Sequence, residues 1–341
     1  MSKQPPILQV RNLTIQLRSG KDCWNVVDRL DFELYSGKTL ALVGESGCGK
    51  SMTAHSLLRI LPTPPTLPIK GEILYRGQNL IQLTEKEMRH IRGSKIAMVF
   101  QDPMSALNPV YTIGNQLIEV AYFHLNLDPD EAWVRAKESL EAVGINDAES
   151  KLNAYPHQLS GGLKQRVMIA MALMCEPDIL IADEPTTALD VTIQAQVLSL
   201  IRNLQEKNGM ALLLITHDMG VVAEMADEVI VMYTAQSVEK GHVEDIFYHK
   251  AHPYTLGLFE SKPSLQGKQG KLKPIPGQVP SYKKLPKGCR FHPRCPFVME
   301  KCRQGEVLSF SLPDNHIVKC WLYDGSLESQ TKLKNSPLER P

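Results

Sequence analysis

An α/β fold built on an open parallel sheet is predicted by three observations. A glycine loop of the form G-x-x-x-x-G-K-S, Gly44 to Ser51, stands between a short apolar run and a stretch of helical apolar spacing. Further apolar runs at 96–100, 179–182 and 212–216 alternate with helical patterns. These runs deliver Gln101, the pair Asp183-Glu184, and His217 at their ends. Open parallel sheets bind ligands beyond the C-terminal ends of their strands, so these residues are the first candidates for a site.

The elements follow in order. Two alternating stretches, 7–17 and 26–34, the second closed by Ser36-Gly37, predict an antiparallel opening sheet. Trp24 reads either as a platform for an adenine ring or as a strand-edge packing residue. Thr39–Val43 suits a buried strand feeding the glycine loop, and a helix is expected over 52–61. Residues 62–68 hold four prolines in seven positions, which ends that helix. A short strand is expected at 71–75. From Thr112 to about Gly144 the pattern is helical, with Ala132 to Val134, Leu140 and Val143 on one face. Leu159 to Arg166 reads L-S-G-G-L-K-Q-R, with Ser160 as a natural helix cap. The run 167–174 behind it is apolar nearly all round and predicts a buried helix whose methionines fill core. An amphipathic helix over 191–204 and a strand over 229–233 complete the pattern. From about residue 261 a lysine- and proline-containing stretch reads as a linker, and residues after about 325 are too poor in apolar side chains to predict order.

Composition narrows the function. The 341 residues are 43% hydrophobic, enough for one large or two smaller domains. Lys+Arg 38 against Asp+Glu 37 leaves no basic excess, so no nucleic-acid partner is expected. No apolar run approaches the ~20 residues of a membrane span, and the N-terminus has no apolar segment of the signal-peptide kind. The expectation is a soluble, cytoplasmic protein. Of seven cysteines, Cys23, Cys48 and Cys175 are scattered, whereas Cys289, Cys295, Cys302 and Cys320 cluster. In a reducing compartment such clustering points to metal rather than disulfides. The spacing C-x5-C-x6-C-x17-C is neither a common zinc pairing nor a ferredoxin run, so on spacing alone a metal site and a structural role stand side by side.

The glycine loop carries its own chemistry. Glycines let backbone N–H groups turn inward around phosphate oxygens, and the helix N-terminus behind them adds partial positive charge. Lys50 is placed to reach β- and γ-phosphates and the Ser51 hydroxyl to hold Mg²⁺. Asp183 at a strand end suits Mg²⁺, directly or through water, and Glu184 beside it suits a general base.

The loop, Gln101, the L-S-G-G-x-K-Q-R segment, Asp183-Glu184-Pro185, Ala188-Leu189-Asp190 and His217, in that order, resemble the ATP-binding subunit of ABC transporters over at least residues 7–260. The resemblance implies an ABC-type P-loop NTPase. Its parts are a parallel central sheet, an antiparallel β subdomain, a helical signature subdomain at about 102–175, and here a cysteine-containing extension over 261–325 followed by a tail at 326–341. It implies that Gly44, Glu45, Ser46, Gly47, Cys48, Gly49, Lys50, Ser51 and Met52 bind ATP. Ser51, Gln101 and Asp183 serve Mg²⁺, while Glu184, His217 and Gln101 serve catalysis. Ser160, Gly161, Gly162 and Gln165 face the ATP of a second subunit, and Asp190 lies across that interface. Taken singly, His217 also reads as a core histidine and Asp190 as a helix cap; together the residues favour the site.

A closer resemblance rests on F-Q-D-P-M-S-A-L-N-P at 100–109, H-P-Y-T at 252–255, I-P-G-Q-V-P at 275–280 and G-C-R-F-H-P-R-C-P at 288–296. These are similar to the D-type ATPase of the oligopeptide/dipeptide (peptide/nickel) importers. Cys48 departs from that pattern, where serine is common, at a position where backbone does the binding. The resemblance implies an F-type partner ATPase, two transmembrane permease subunits, an extracytoplasmic substrate-binding protein, and a place on the cytoplasmic side of the membrane. It also implies a [4Fe–4S] cluster at the four clustered cysteines, with zinc as the alternative and His292 and His316 as substitute ligands. Two rival readings weaken on inspection. A repair-type ATPase needs a long coiled-coil insert, for which the stretch from Gln101 to Ser160 is too short, and translation-type ATPases carry two cassettes where this chain has one glycine loop. A module that holds ATP without hydrolysis fits poorly with intact Glu184 and His217.

Overall fold

The structure is a computed structural model that describes residues 4–102, 106–186, 190–261 and 273–338. Ala188, Leu189 and most of the expected linker lie outside the described residues. The strands run β1 (Leu8–Ser19), β2 (Asp22–Leu34), β3 (Thr39–Val43), β4 (Lys70–Tyr75), β5 (Gln78–Asn79), β6 (Ile96–Val99), β7 (Ile179–Asp183), β8 (Ala211–Ile215), β9 (Glu228–Tyr233), β10 (Gln236–His242), β11 (Phe310–Ser311) and β12 (Ile317–Val318). The chain divides into two compact units. One comprises residues 1–9, 33–39 and 74–215, the other 10–32, 40–73 and 216–341.

The first unit carries the parallel strands β6, β7 and β8, with Ile96 opposite Ile179 and Ile179 opposite Ala211. Every residue of these strands is buried, as expected for a parallel sheet covered on both faces. Helices Ile113–Leu125, Pro129–Ala142, Ala148–Leu152 and Gly161–Leu173 pack together beside them. Three of these four helices start on side-chain caps. Thr112 accepts from the Asn115 N–H, and Asp128 forms a reciprocal capping box with Glu131. The helix Glu85–Ile91 carries the same box between Thr84 and Glu87. Sequence reading missed that helix, although the T-x-x-E signal is present.

The second unit holds β2, β1 and β4 as neighbours, and separately β3, β9, β10, β12 and β11 in that order. β3 and β9 are parallel, with Leu40 opposite Glu228, and the remaining pairs of that series are antiparallel. Its core gathers Val43, Val231, Tyr233, Tyr254, Leu258 and Phe291. The C-terminal region supplies Phe291 to this core and adds β12 to β10, pairing Val318 with Glu239. Residues after 325 differ from expectation. A helix, Leu327–Lys334, starts on a Ser326 cap. It is anchored by polar contacts, Lys332 Nζ to the Val298 carbonyl and Lys301 to both Asp324 and Ser326, which an apolar-content argument does not see.

Candidate nucleotide site

The glycine loop lies in the second unit, just after β3. Gly44 has φ 149°, and a Cβ there would stand 2.2 Å from the Met232 carbonyl oxygen. Gly49 has φ 111°, and its Cβ would stand 2.4 Å from the Val26 carbonyl oxygen. Both positions therefore exclude any side chain. Ser46 and Gly47 are exposed, while Cys48, Gly49 and Lys50 are buried. The helix Lys50–Leu57 begins at Gly49 with no side-chain cap, which leaves its first N–H groups to the loop's concavity. Ser51 and Met52 are half-buried in its first turn.

The Lys50 ammonium donates to the Gly44 carbonyl at 2.9 Å and the Glu45 carbonyl at 3.2 Å, and approaches Cys48 Sγ at 3.7 Å. The lysine thus curls over the loop it follows, where phosphate oxygens would compete for the same donors. Burial pushes the Cys48 thiol pKa up, against the pull of Lys50. Glu45 holds the loop from outside. Its N–H donates to Tyr254 Oη at 2.8 Å, and its carboxylate pairs with Arg294. His217 is exposed, one residue past Thr216, whose N–H donates to the Leu42 carbonyl. Trp24 is half-buried on β2 with the Lys283 ammonium 5.2 Å over its ring.

The first unit carries Asp183, Glu184 and Gln101. Asp183 ends β7 and is 3% exposed. Glu184 follows with φ 47°, a left-handed conformation rare outside glycine, and its N–H donates to the Ile215 carbonyl at 2.8 Å. Gln101 Nε2 donates to Glu184 Oε2 at 2.9 Å. That bond fixes the carboxylate and leaves the Gln101 amide oxygen as an acceptor. Oxygen donors of this kind, the Asp183 carboxylate and the Gln101 amide oxygen, are of the type that Mg²⁺ prefers.

Ser160 is exposed and caps the helix Gly161–Leu173, its Oγ accepting from the Leu163 N–H at 3.4 Å. Gly161 is exposed too, and a Cβ at Gly162 would press on Ile193 at 3.1 Å. The expectation from the resemblance groups Gln165 with these residues at a partner's ATP. It is 2% exposed, and its amide donates to the Pro185 carbonyl at 2.6 Å. Its helix starts at the surface and is largely buried from Lys164 onward, and the Gln165 amide ties the signature segment to the loop after Glu184. Arg166 spans the neighbouring helices, donating to the Val143 carbonyl and to Gln196. Asp190 caps the helix Val191–Asn208, accepting from the Ile193 N–H at 2.9 Å.

The four clustered cysteines fall in one part of the second unit, all as free thiols. Burial raises the Cys289 pKa to about 11 and that of Cys295 to about 12, with added repulsion from neighbouring thiolates. Cys320 is raised further by burial and feels Cys289, Cys295 and Cys302 together. Backbone N–H groups of Phe291, Phe297 and Leu322 are hydrogen-bonded to three of the sulfurs. Among the described residues, no three His, Cys, Asp or Glu side chains converge closely enough to hold a metal ion. His292 Nδ1 bonds the Cys289 carbonyl, and His316 Nε2 bonds Glu239. Both imidazoles are thereby engaged with oxygen partners. No helix among the described residues is long and apolar enough to cross a membrane.

Residues 27–187 match the family described as ABC transporter, and residues 238–302 match the oligopeptide/dipeptide transporter C-terminal region. The chain is 48% identical to the oligopeptide transport ATP-binding protein AppD of Bacillus subtilis, over 93% of this chain and 97% of that one. It is 47% identical to the dipeptide transport ATP-binding protein DppD of the same organism, over 94% and 96% of the two chains. Among solved structures it resembles the ATP-binding cassette MJ0796 in a dimeric post-hydrolysis state bound to ADP and Pi. That match has a TM-score of 0.61 and 26% identity, over 69% of this chain and 98% of that one. The chain belongs to the ATP-binding proteins of ABC transporters, in their oligopeptide and dipeptide transport branch.

Proposed function

We propose that the chain is the ATP-hydrolysing subunit that powers import of oligopeptides or dipeptides, acting peripherally on the cytoplasmic side of the membrane. The observation that carries hydrolysis is the 2.9 Å bond from Gln101 to Glu184 in its strained backbone setting. A carboxylate aimed by a neighbouring amide suits a general base better than a surface acid. In the proposed cycle Lys50 and the loop N–H groups hold the ATP phosphates. Glu184 takes a proton from the attacking water, and His217 orients that water against the γ-phosphate. Ser51, Asp183 and Gln101 would hold Mg²⁺, which when bound neutralises charge on the phosphate oxygens.

Ser160 and Gly161, exposed at the start of a 13-residue helix, support a site completed by a second ATPase subunit. The reading takes that subunit to be a distinct F-type partner, with Asp190 at the shared surface. A groove of about 790 Å³ in the first unit, lined in part by Arg89, Tyr111, Phe123 and Met171, supports docking of a permease subunit. Two permeases and an extracytoplasmic substrate-binding protein complete the machine. For the cysteines, two buried and two half-buried side chains, three of them with N–H donors, support a soft or borderline centre, [4Fe–4S] or zinc, held by Cys289, Cys295, Cys302 and Cys320. Closing it requires the sulfurs to draw together, and no step of hydrolysis passes through it. Iron, sulfide and zinc analysis of anaerobically purified protein tests this, and absence of all three removes it.

The transport reading is tested by uptake into proteoliposomes holding the assembled complex. ATP-dependent accumulation of labelled peptides is the expected result. Accumulation of nickel with no peptide uptake would move the cargo to the other branch of the family, and no uptake coupled to hydrolysis would remove the transporter reading.

A further inference from the structure

The six residues after Cys289 end at Cys295, and three of them reach the nucleotide loop. Arg294 is 6% exposed, and each of its five N–H donors has an acceptor. Nη1 donates to Glu45 Oε2 at 2.8 Å and to Tyr233 Oη at 3.4 Å. Nη2 donates to Glu45 Oε1 at 3.1 Å and to the Ile275 carbonyl at 3.4 Å. Nε donates to the Pro276 carbonyl at 3.0 Å. Phe291 packs its ring 5.4 Å from Tyr254, whose hydroxyl receives the Glu45 N–H. Arg290 donates to the Thr234 carbonyl at 2.5 Å, and the next residue, Ala235, donates its N–H to the Cys48 carbonyl. The loop is thus gripped at Glu45 by side chain and backbone, and at Cys48 through a turn. All of these supports come from, or rest on, the segment at 290–294.

Glu45 has no reason of its own to be fixed. A carboxylate beside a phosphate site repels the ligand unless its charge is neutralised and held away. The bidentate guanidinium does both. The Arg294 pKa reflects this balance: burial lowers it, but the bonds to Glu45 and Tyr233 win and raise it overall.

We propose that Arg294 is a positioning residue for ATP binding, acting through Glu45, so that the C-terminal cysteine segment is a working part of the nucleotide site. This rests on the ATP reading given above. Arg294 touches no phosphate; it sets the loop that does.

The test measures ATP affinity of the full-length chain with a fluorescent ATP analogue, alongside KM and kcat in the assembled complex. Arg294→Lys keeps the charge but cannot fork. It is expected to weaken ATP binding and raise KM about 10-fold, with kcat within about twofold of wild type. Glu45→Gln removes the charge that needs holding, and Arg294→Lys added to it is expected to have no further effect on affinity. Both substitutions are small enough to preserve folding, and melting curves check that. A role confined to packing would lower the melting temperature and leave affinity and KM unmoved, which overturns the proposal. So would equal losses from Arg294→Lys with and without Glu45→Gln. Lys50→Ala in the same assay separates the two layers. If it binds ATP like wild type, the ATP reading fails; if it loses ATP while Arg294→Lys does not, only Arg294 falls.

Discussion

In the proposed cycle the chemistry turns on Lys50 and Glu184, and hydrogen bonds restrain each of them in the structure. Lys50 is buried and bonded to two loop carbonyls, so its side-chain entropy is already spent. Lys50→Ala should weaken ATP binding about 10- to 100-fold, the worth of a charge-assisted contact, read by equilibrium binding. Unchanged affinity would show that the backbone alone holds the phosphates. Cys48 is a different case. Its thiol is buried, with a pKa raised by that burial, so it should resist alkylating reagents in the folded chain, whereas exposed Cys23 should label first. Mass spectrometry of brief iodoacetamide labelling checks the order, and early labelling at Cys48 would mean the loop opens readily. These residues were legible because phosphate chemistry demands a fixed spacing. Arg294 was not, since an arginine between two cysteines has no pattern that names its distant carboxylate. Gln165 is buried although Ser160 and Gly161 at the start of its helix are exposed, a change of depth along the helix that the motif does not carry.

Among the elements, the helix Pro253–Glu260 shows how a cap can carry a pH dependence. His252 Nδ1 accepts from the Tyr254 N–H at 3.0 Å, a bond available only to the neutral ring. Burial lowers the His252 pKa to about 4, against the pull of Glu239. The unfolded chain therefore binds a proton at higher pH than the folded one. The stability at stake is present above pH ~6.5 and is lost as pH falls from there toward 4, amounting to about 3 kcal/mol. Denaturant midpoints should fall across that window, and His252→Asn, which keeps a capping acceptor, should flatten the fall. An equal slope in the variant would place the proton elsewhere. Glu239 is the companion anchor. It is buried in β10 and accepts from the Ala251 and His252 N–H groups, Thr255 Oγ1 and His316. Glu239→Ala would orphan all four and should cost about 3–5 kcal/mol in chemical unfolding. Apolar runs revealed the central strands, but β10 has a polar sequence with a glutamate facing inward, and two-residue strands such as β11 and β12 have no period at all.

At the scale of the molecule, the sequence suggested an ATP-binding body with a cysteine appendage. The structure puts the appendage and the glycine loop in one compact unit, sharing a core through Phe291 and a sheet through β12. Composition could not show this, because the joining contacts are single residues far apart in the chain. The groove in the first unit is lined in part by exposed Tyr111 and Phe123, an apolar display that fits a protein surface kept for a partner. Phe123→Asp should leave ATP binding by the isolated chain within about twofold, yet reduce its recovery with the permease subunits on co-purification. Full recovery would mean the permeases dock elsewhere.

In the proposed function, ATP hydrolysis at Glu184 drives transport. It is tested most directly by ATPase and peptide-uptake measurements on the reconstituted complex carrying Glu184→Gln. The claim predicts that ATP still binds, that hydrolysis drops about 10²- to 10⁴-fold as expected for loss of a general base, and that uptake stops with it. Hydrolysis and uptake at the wild-type rate would contradict it.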